Sequence, residues 1–302
     1  MPTFQIWNKC NNNCQMCTNP LWLNSDEVSN LHSFSDKSKE IEKKMKREGD
    51  MIQFTGGEPT IHPEFFKLMY WTRENYPKSR IYLITNGRMF FYEEFTKKVL
   101  EVDRLTIQLS LLAHKKEIHN KITRTPKSFE QTVQGIKNIL KYKKGGQELE
   151  LRVVLTKINL PFLDKIIEFI YNEFKTFNSL VIIFPEIEGR CDVNFKNIGL
   201  RYSDTKHIIN DIALKWGHKI DDFRLYHFPL CQIDPCLWKY AYRTLPEEEI
   251  SFIKNCEKCR YKEYCLGIHK NYLEVIGGGE FTSIEGNILI KEGRNSNHPI
   301  ID

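Results

Sequence analysis

Three cysteines near the start of the chain are the residues whose types and spacing most clearly predict chemistry. They lie in the run Cys10-Asn-Asn-Asn-Cys14-Gln-Met-Cys17, with three and then two residues between them. Structural zinc normally takes four protein ligands and has a closed shell, whereas a 4Fe–4S cluster held by three thiolates leaves one iron open. The spacing therefore predicts a 4Fe–4S cluster with a reactive iron. A zinc knuckle or a set of buried structural thiols is the alternative.

A second group of cysteines lies in the last third of the chain, at Cys231, Cys256, Cys259 and Cys265. Four thiols could close a zinc site or hold a further iron–sulfur cluster. Cys191 is expected near the end of the sixth predicted strand, as a packing residue, an alternative ligand or an active-site thiol. Cys236, which follows Pro235 at the start of a predicted helix, is expected to lie in the core.

The composition is that of an ordinary globular protein, with 41% hydrophobic and 27% charged residues. The formal net charge of +5 is spread thinly, so nucleic acid is not favoured as a partner. Nine cysteines, most of them at short spacings and without an N-terminal signal segment, indicate metal ligation in a reducing cytoplasm rather than disulfide bonds. No apolar run approaches the ~18 residues that a membrane span needs, so no membrane contact is expected.

Alternating strands and helices must position these residues. Compact apolar runs predict six strands, at residues 4–7, 51–54, 80–84, 104–110, 149–155 and 180–184. Helices are predicted between them, at residues 36–48, 63–71, 91–102, 129–142 and 162–174, with Gly49 ending the first. This alternation indicates parallel βαβ units and an α/β fold with both sheet faces buried. It stops near residue 195, where Ser203 is expected to cap a further helix. Two domains are therefore predicted, at 1–200 and 201–302.

Polar groups follow the predicted strands, whose carboxyl ends meet at one edge of a parallel sheet. The cysteine loop follows the first strand, and Gly56-Gly57-Glu58-Pro59 follows the second. The two glycines expose backbone carbonyls, and Glu58 can balance the ammonium of a bound amino acid; a plain Gly-Gly turn is the alternative. Thr85 and Asn86 end the third strand and Ser110 ends the fourth, either as ligand contacts or as strand caps.

The cysteine loop, placed after the first strand of a βα series, resembles that of the radical S-adenosylmethionine (SAM) superfamily, over about residues 1–190. The resemblance implies a partial (β/α)6 barrel in which SAM chelates the open iron. One electron from the cluster would cleave SAM to methionine and a 5′-deoxyadenosyl radical, which abstracts a hydrogen from substrate. Met16 stands where the family usually has an aromatic residue, and its polarizable sulfur can pack on adenine. The implied SAM contacts are Met16, Gly56, Gly57, Glu58, Thr85, Asn86, Ser110 and Arg124.

A barrel of this kind followed by Cys256, Cys259 and Cys265 resembles the SPASM/twitch group of the superfamily. That resemblance implies one auxiliary 4Fe–4S cluster, with Cys231 as its fourth ligand. Residues 110–139 resemble peptide-modifying maturases, and the C-terminal cysteines with the Leu-Trp pair at 237–238 are similar to the partner maturase of His-Xaa-Ser peptide systems. Two departures are Leu112, where many relatives have Asp, and the lack of a second glycine after Gly267.

The predicted function is that of a cytoplasmic radical SAM enzyme that oxidises or cross-links a ribosomally made peptide. A radical SAM dehydrogenase or cyclase acting on a small molecule (a sugar, nucleotide or cofactor precursor) is the alternative among enzymes. A zinc-stabilised nucleic-acid-binding or scaffold protein is the alternative outside them. The expected partner is an electron donor such as flavodoxin or ferredoxin.

A partner maturase or leader-binding protein is a further expected partner, since no leader-binding module is expected before Cys10. The catalytic residues are not assigned from the sequence. Four side chains are candidates for acid–base chemistry, namely Glu186, Glu188, His114 and Arg124.

Overall fold

Eight parallel strands form the central sheet of the computed structural model, which describes residues 2–21, 32–45 and 51–301. The strands are β1 (Thr3–Trp7), β2 (Met51–Gly56), β3 (Arg80–Thr85), β4 (Leu105–Ser110), β5 (Glu148–Val154), β6 (Ser179–Ile183), β7 (Phe223–Tyr226) and β8 (Ala241–Tyr242). Each strand pairs in parallel with the next, so the spatial order is the sequence order. The predicted α/β class with a parallel sheet is confirmed, and all six predicted strands are present.

Helices connect the strands and share an apolar core with the sheet. They are α1 (Phe34–Met45), α2 (Phe65–Asn75), α3 (Glu93–Val99), α4 (Lys116–Thr123), α5 (Ser128–Tyr142), α6 (Leu163–Glu173), α7 (Gly189–Val193), α8 (Phe195–Ile198), α9 (Tyr202–Trp216), α10 (Lys254–Glu257) and α11 (Lys270–Val275). Ile136 of α5 and Ile167 of α6 are fully buried in the same core as Ile107 of β4. The predicted helix end at Gly49 lies outside the described residues.

The two faces of the sheet differ in chemistry because side chains alternate along each strand. Apolar residues such as Ile107 occupy one face, whereas the other carries a chain of hydrogen bonds. Gln53 Nε2 donates to Gln108 Oε1 at 2.9 Å, and Gln108 Nε2 donates to Glu150 Oε1 at 3.1 Å. Arg224 Nη1 lies 3.3 Å from Glu150 Oε2. The inner face is thus polar and internally paired, which the apolar runs of the sequence did not indicate.

The alternation of strands and helices continues past residue 195, where it was expected to stop. Helix α9 leads into β7, which pairs in parallel with β6, and β8 follows. Strand β7 has four residues and places Arg224 on the polar face, so no continuous apolar run marks it. Asp204 rather than Ser203 caps α9, since its Oδ2 accepts a hydrogen bond from the Arg201 amide at 3.0 Å. The domain boundary near residue 200, which the sheet crosses, stays a prediction.

Aromatic packing joins the C-terminal region to the sheet. Phe184, just after β6, stacks on Tyr202 with ring centroids 3.8 Å apart, and Tyr272 and Phe281 pack beside them. Two small antiparallel pairs complete the region, namely β9 (Ile250–Ser251) with β10 (Ile268–His269), and β11 (Lys291–Asn295) with β12 (His298–Ile301). Within the described ranges, no helix has the length and apolar character needed to cross a membrane.

Candidate functional site

The cysteine loop of residues 10–17 is held from two sides by backbone hydrogen bonds. The amides of Asn13 and Gln15 donate to the last carbonyls of α4, at 3.0 and 2.9 Å. On the other side, the Arg190 amide donates to the Cys17 carbonyl at 2.8 Å. The loop is therefore fixed between α4 and the segment that follows β6, at the carboxyl edge of the sheet.

The end of β2 approaches this loop closely, and glycine permits the approach. The Gly57 amide donates to the Trp7 carbonyl at 2.7 Å, and the Glu58 amide donates to the Lys9 carbonyl at 2.9 Å. A Cβ atom on Gly57 would collide with the carbonyl oxygen of Lys9, and one on Gly56 would collide with that of Trp7. From the sequence, these glycines were expected to expose backbone carbonyls and to contact SAM, and the structure adds a steric reason for them.

Glu58 lies inside the protein, with its side chain only 1% exposed. Its Oε1 accepts from the Thr85 hydroxyl at 2.7 Å and from the Thr60 amide and hydroxyl, and its Oε2 accepts from the Asn86 amide at 2.7 Å. Burial raises the pKa of Glu58, although these hydrogen bonds oppose the shift. The carboxylate thus ties the ends of β2 and β3 together. Its contact with the ammonium of SAM stays a prediction.

Asn86 and Arg88, which follow β3, reach back to the cysteine loop. Asn86 Nδ2 donates to Asn11 Oδ1 at 2.7 Å and lies 3.8 Å from the Cys10 sulfur. Arg88 Nη1 donates to Asn12 Oδ1 at 3.0 Å and to the Asn11 carbonyl. Arg88 was not predicted from the sequence, because its only signal there is its place two residues after Asn86.

Burial affects the thiols of Cys10 and Cys14 in this loop. Burial raises the pKa of Cys10 to about 12, with a further contribution from Glu58, and burial also raises the pKa of Cys14. The Asn12 amide donates to the Cys10 sulfur at 3.3 Å. Such thiols become thiolates only when a cation replaces their protons. Because no three His, Cys, Asp or Glu side chains converge around one point in the described ranges, metal binding by these thiols stays a prediction.

The three remaining predicted contacts differ in position and in exposure. Ser110 ends β4, where its Cα pairs in register with Arg152, and it is half-buried. Arg124 is exposed, and its Nη2 donates to Asn194 Oδ1 at 2.7 Å and to Gln15 Oε1 at 3.5 Å. Met16 is half-buried within the loop itself. Arg124 therefore braces the loop in the structure, and the SAM contacts of these three residues stay predictions.

The second group of cysteines lines a recess in the C-terminal region. The Cys265 sulfur accepts from the amides of Leu230 and Gly267, at 3.4 and 3.5 Å, and burial raises its pKa to about 12. Among the described residues, no three His, Cys, Asp or Glu side chains converge as they would around a single metal ion. The cysteines that line the recess are Cys231, Cys256, Cys259 and Cys265.

The two other cysteines have different surroundings. Cys191 in α7 is fully buried, and its amide lies 3.3 Å from the Cys17 carbonyl, close to the first cysteine group. Cys236 is exposed, so the prediction that it lies in the core is wrong. It belongs to the 3₁₀ turn Pro235–Tyr240, which buries Leu237 and Trp238 and leaves Cys236 on the outer side.

The sequence model of the radical SAM superfamily matches residues 4–169, which include the cysteine loop and the ends of β2 to β4. This match spans more than half of the chain. The chain belongs to the radical SAM superfamily. The prediction of this superfamily is confirmed, and membership implies SAM and a 4Fe–4S cluster as cofactors.

Two relatives are similar in sequence. An uncharacterized protein of Methanocaldococcus jannaschii is 24% identical over 243 residues, which cover 73% of this chain and 82% of the relative. A probable GTP 3′,8-cyclase of Sulfurisphaera tokodaii is 30% identical over 118 residues, which cover 39% of this chain and 36% of the cyclase. The second similarity is thus confined to part of each protein.

Two solved structures share the fold. Streptococcus suis SuiB, bound to precursor peptide SuiA, superposes with a TM-score of 0.59 at 13% identity over 74% of this chain and 48% of SuiB. anSMEcpe with bound AdoMet, which is SAM, superposes with a TM-score of 0.55 at 23% identity over 74% of this chain and 62% of anSMEcpe. This chain therefore spans about half of the length of SuiB, and the likeness is one of fold.

Proposed function

We propose that this protein holds a 4Fe–4S cluster at Cys10, Cys14 and Cys17 and uses it with SAM to remove a hydrogen atom from a ribosomally made peptide. The observation that carries the proposal is that the Gly56-Gly57-Glu58 turn is hydrogen-bonded to Trp7 and Lys9, directly before the cysteine loop, at the carboxyl edge of the sheet. Bound SAM would supply a 5′-deoxyadenosyl radical. Membership of the superfamily supports the same chemistry.

The protein would hold the cluster, orient SAM and shield the radical from water. The three thiolates would bind three irons, and the Asn12 amide and Asn86 Nδ2 would stabilise the charge on the Cys10 sulfur. Glu58 positions Thr85 and Asn86 from within. The proposed SAM contacts are Met16, Gly56, Gly57, Glu58, Thr85, Asn86, Ser110 and Arg124. The barrel would also keep water away from the reactive radical.

We also propose an auxiliary 4Fe–4S cluster in the recess of the C-terminal region. Support comes from four cysteines that line one recess and from two backbone amides that donate to the Cys265 sulfur. Its ligands would be Cys231, Cys256, Cys259 and Cys265, and residues 201–302 would form a twitch-like domain around it. Such a cluster would anchor the substrate or accept the electron that an oxidised product releases. Hydrogen bonds to its sulfurs would affect its reduction potential.

A peptide substrate is supported by the fold neighbours, since SuiB was solved with a precursor peptide and anSMEcpe with the Kp18Cys peptide. One observation favours a small molecule instead, namely the partial similarity to a probable GTP 3′,8-cyclase. We prefer the peptide because the structural likeness extends over more of the chain. The enzyme would work in the cytoplasm with a flavodoxin or ferredoxin as electron donor, and with a leader-binding protein or partner maturase where the peptide needs one.

The test supplies both substrate classes in labelled form. An extract of the source organism, grown on a deuterated carbon source, is divided into a peptide fraction and a small-metabolite fraction. The reconstituted protein receives each fraction with SAM and dithionite under anaerobic conditions. We expect 5′-deoxyadenosine that gains deuterium from the peptide fraction. Deuterium from the metabolite fraction alone would favour the small-molecule reaction, and absence of 5′-deoxyadenosine with both would contradict the proposed chemistry.

A further inference from the structure

A group of basic side chains lies where helix α4 ends. Residues 115–127 contain five Lys or Arg residues and one acidic residue, whereas the whole chain has 44 basic and 39 acidic residues. Three of the five are exposed and lie at or just after the end of α4, namely Lys121, Arg124 and Lys127. We name these three residues the basic surface. Positive charge is therefore concentrated at this point of the chain, which the small net charge did not indicate.

The basic surface adjoins the cysteine loop. The last turn of α4 accepts two backbone hydrogen bonds from that loop, from the Asn13 amide to the Thr123 carbonyl at 3.0 Å and from the Gln15 amide to the Ile122 carbonyl at 2.9 Å. Asn13, which directly precedes Cys14, is exposed. The cysteine loop therefore reaches the outside of the protein beside the basic surface.

The charges of the basic surface are not balanced by carboxylates. In the dense basic run of α1, by contrast, Glu40 pairs with Lys37 at 2.9 Å and with Lys44 at 3.0 Å. Within the ranges that the structure describes, none of the three residues of the basic surface forms such an ion pair. Arg124 donates instead to the neutral Asn194 and Gln15 side chains. The positive charge is thus available to an external partner.

Two residues of the basic surface have an unfavourable backbone conformation. Arg124, at the C-terminal end of α4, has a φ of 50°, and Lys127 has a φ of 61°. The left-handed region costs an ordinary residue about 1–2 kcal/mol, and glycine is the usual residue where a helix ends in this way. Long basic side chains therefore occupy two positions that glycine would fill with less strain, which indicates a role for the side chains themselves.

Two exposed aromatic rings lie close to the basic surface. The Gln131 amide donates to the Lys127 carbonyl at 3.1 Å, and Gln131 Oε1 accepts from Arg88 Nε at 2.6 Å. Phe91 and Tyr92 follow Arg88 by three and four residues, are 41% and 53% exposed, and have ring centroids 5.3 Å apart. Aromatic residues and arginine are enriched in protein–protein interfaces, whose rims are polar. The combination is therefore typical of a surface that binds another protein.

The position beside the cysteine loop favours one kind of partner. The proposed cluster has to receive an electron before SAM can be cleaved, and electron transfer slows steeply with distance. The donor must therefore dock where the loop reaches the outside of the protein. An acidic donor would be attracted by the unbalanced positive charge. Nucleic acid is less favoured, because its binding rests on many phosphate contacts and the basic surface has three cations.

We propose that the basic surface, with the exposed rings of Phe91 and Tyr92, is the docking surface for an acidic protein that donates one electron to the cluster at Cys10, Cys14 and Cys17. The inference rests on the proposed function. In this step the donor loses one electron and the cluster gains it, while no bond is formed or broken. Because the attraction is between exposed charges, the docking weakens as the salt concentration rises.

The test compares two double charge reversals. Lys121→Glu with Lys127→Glu changes the basic surface, and Lys175→Glu with Lys219→Glu is the matched control. The control lysines are exposed and lie at the opposite, amino edge of the sheet, before β6 and β7. A purified flavodoxin with an acidic surface is titrated into each protein by calorimetry at low ionic strength. We expect binding to the first variant to be weaker by at least about tenfold, and binding to the control to equal that of the wild type.

A second readout separates docking from the chemistry at the cluster. With dithionite, all three proteins should form 5′-deoxyadenosine at the same rate, because a small reductant needs no docking surface. With reduced flavodoxin, the variant with Lys121→Glu and Lys127→Glu should be slower by at least about tenfold. High salt should remove most of the difference between this variant and the wild type, since it screens exposed charges.

Several outcomes would overturn the docking surface. They are unchanged flavodoxin binding by the variant with Lys121→Glu and Lys127→Glu, equal weakening in the control, and an equal loss of rate with dithionite and with flavodoxin. Tighter binding of a DNA duplex than of flavodoxin by the wild type would overturn the choice of partner. If the variant loses its iron, Lys121→Gln with Lys127→Gln decides, and we expect weaker flavodoxin binding from it too. A wild type that binds flavodoxin but makes no 5′-deoxyadenosine with dithionite would instead refute the proposed function.

Discussion

Glu58 stands in a motif whose carboxylate was expected to meet the ammonium of SAM, and in the structure it accepts hydrogen bonds from Thr60, Thr85 and the Asn86 amide. All of these donors come from the protein. The residue type and its place after β2 were evident from the sequence. Its partners were not, because they depend on how the ends of β2 and β3 meet.

Glu58→Gln should destabilise the protein by about 1–3 kcal/mol, because an amide NH2 would replace one of the two buried acceptor oxygens. It should also weaken SAM binding, since Thr85 and Asn86 would lose their support. Thermal unfolding and equilibrium SAM binding measure the two effects. Glu94→Gln, at an exposed residue of α3, should change the unfolding free energy by less than about 0.5 kcal/mol. Equal effects of the two substitutions would refute the buried role of Glu58.

His119 predicts a pH dependence of stability. Burial lowers the pKa of His119 from 6.5 to about 4. Between pH 6.5 and 4, the His119 imidazole is therefore protonated in the unfolded chain but not in the folded one. Stability is therefore lost as the pH falls from 6.5 towards 4, by up to about 3 kcal/mol. His119→Gln should flatten the unfolding free energy across this window, whereas His218→Gln should not. Identical slopes in wild type and His119→Gln would contradict the assignment.

At the residue scale, the sequence revealed side chains whose types are rare and chemically specific. The cysteines and the Gly-Gly-Glu turn belong to this kind. Arg88 and Cys236 could not be predicted in the same way. Arg88 acts on Asn11 and Asn12 across a long stretch of sequence, and the exposure of Cys236 follows from which residues of a 3₁₀ turn face the core.

At the element scale, the strand ends carry the candidate site, and the six longer strands were evident as apolar runs. Strand β7 was missed because its four residues alternate between Leu225 on the apolar face and Arg224 on the polar face. The polar inner face was missed because a residue pattern does not reveal that Gln53, Gln108 and Glu150 pair with one another. The periodicity of apolar residues in a sequence indicates which side chains are buried. To predict which polar side chains pair across strands, the register between the strands must also be known.

The approach of β2 to the cysteine loop can be tested with one methyl group. Gly57→Ala would push its Cβ against the Lys9 carbonyl oxygen, so we expect a loss on the order of 2 kcal/mol or more and less bound iron. Gly145→Ala is the matched control, because a Cβ there meets nothing within 4 Å. Iron analysis and thermal unfolding report the result. Normal iron content in Gly57→Ala would show that the loop and the turn do not need this contact.

At the scale of the whole molecule, the sheet and the C-terminal region form a continuous structure. The aromatic stack of Phe184 on Tyr202 and the contact between Glu188 and His269 both lie where the two parts meet. The sequence predicted the two cysteine groups but not their relation, since the distance along the chain says nothing of the distance across the sheet edge. We propose that the first group serves radical formation and the second group a later step.

One paired measurement tests that division most directly. Iron content and 5′-deoxyadenosine formation are measured for the wild type, Cys14→Ala and Cys259→Ala, each reconstituted anaerobically and supplied with SAM and dithionite. Two 4Fe–4S clusters give about eight irons in the wild type and about four in each variant. We expect that Cys14→Ala makes no 5′-deoxyadenosine, while Cys259→Ala still does. Continued SAM cleavage by Cys14→Ala, or zinc without sulfide in the wild type, would contradict it.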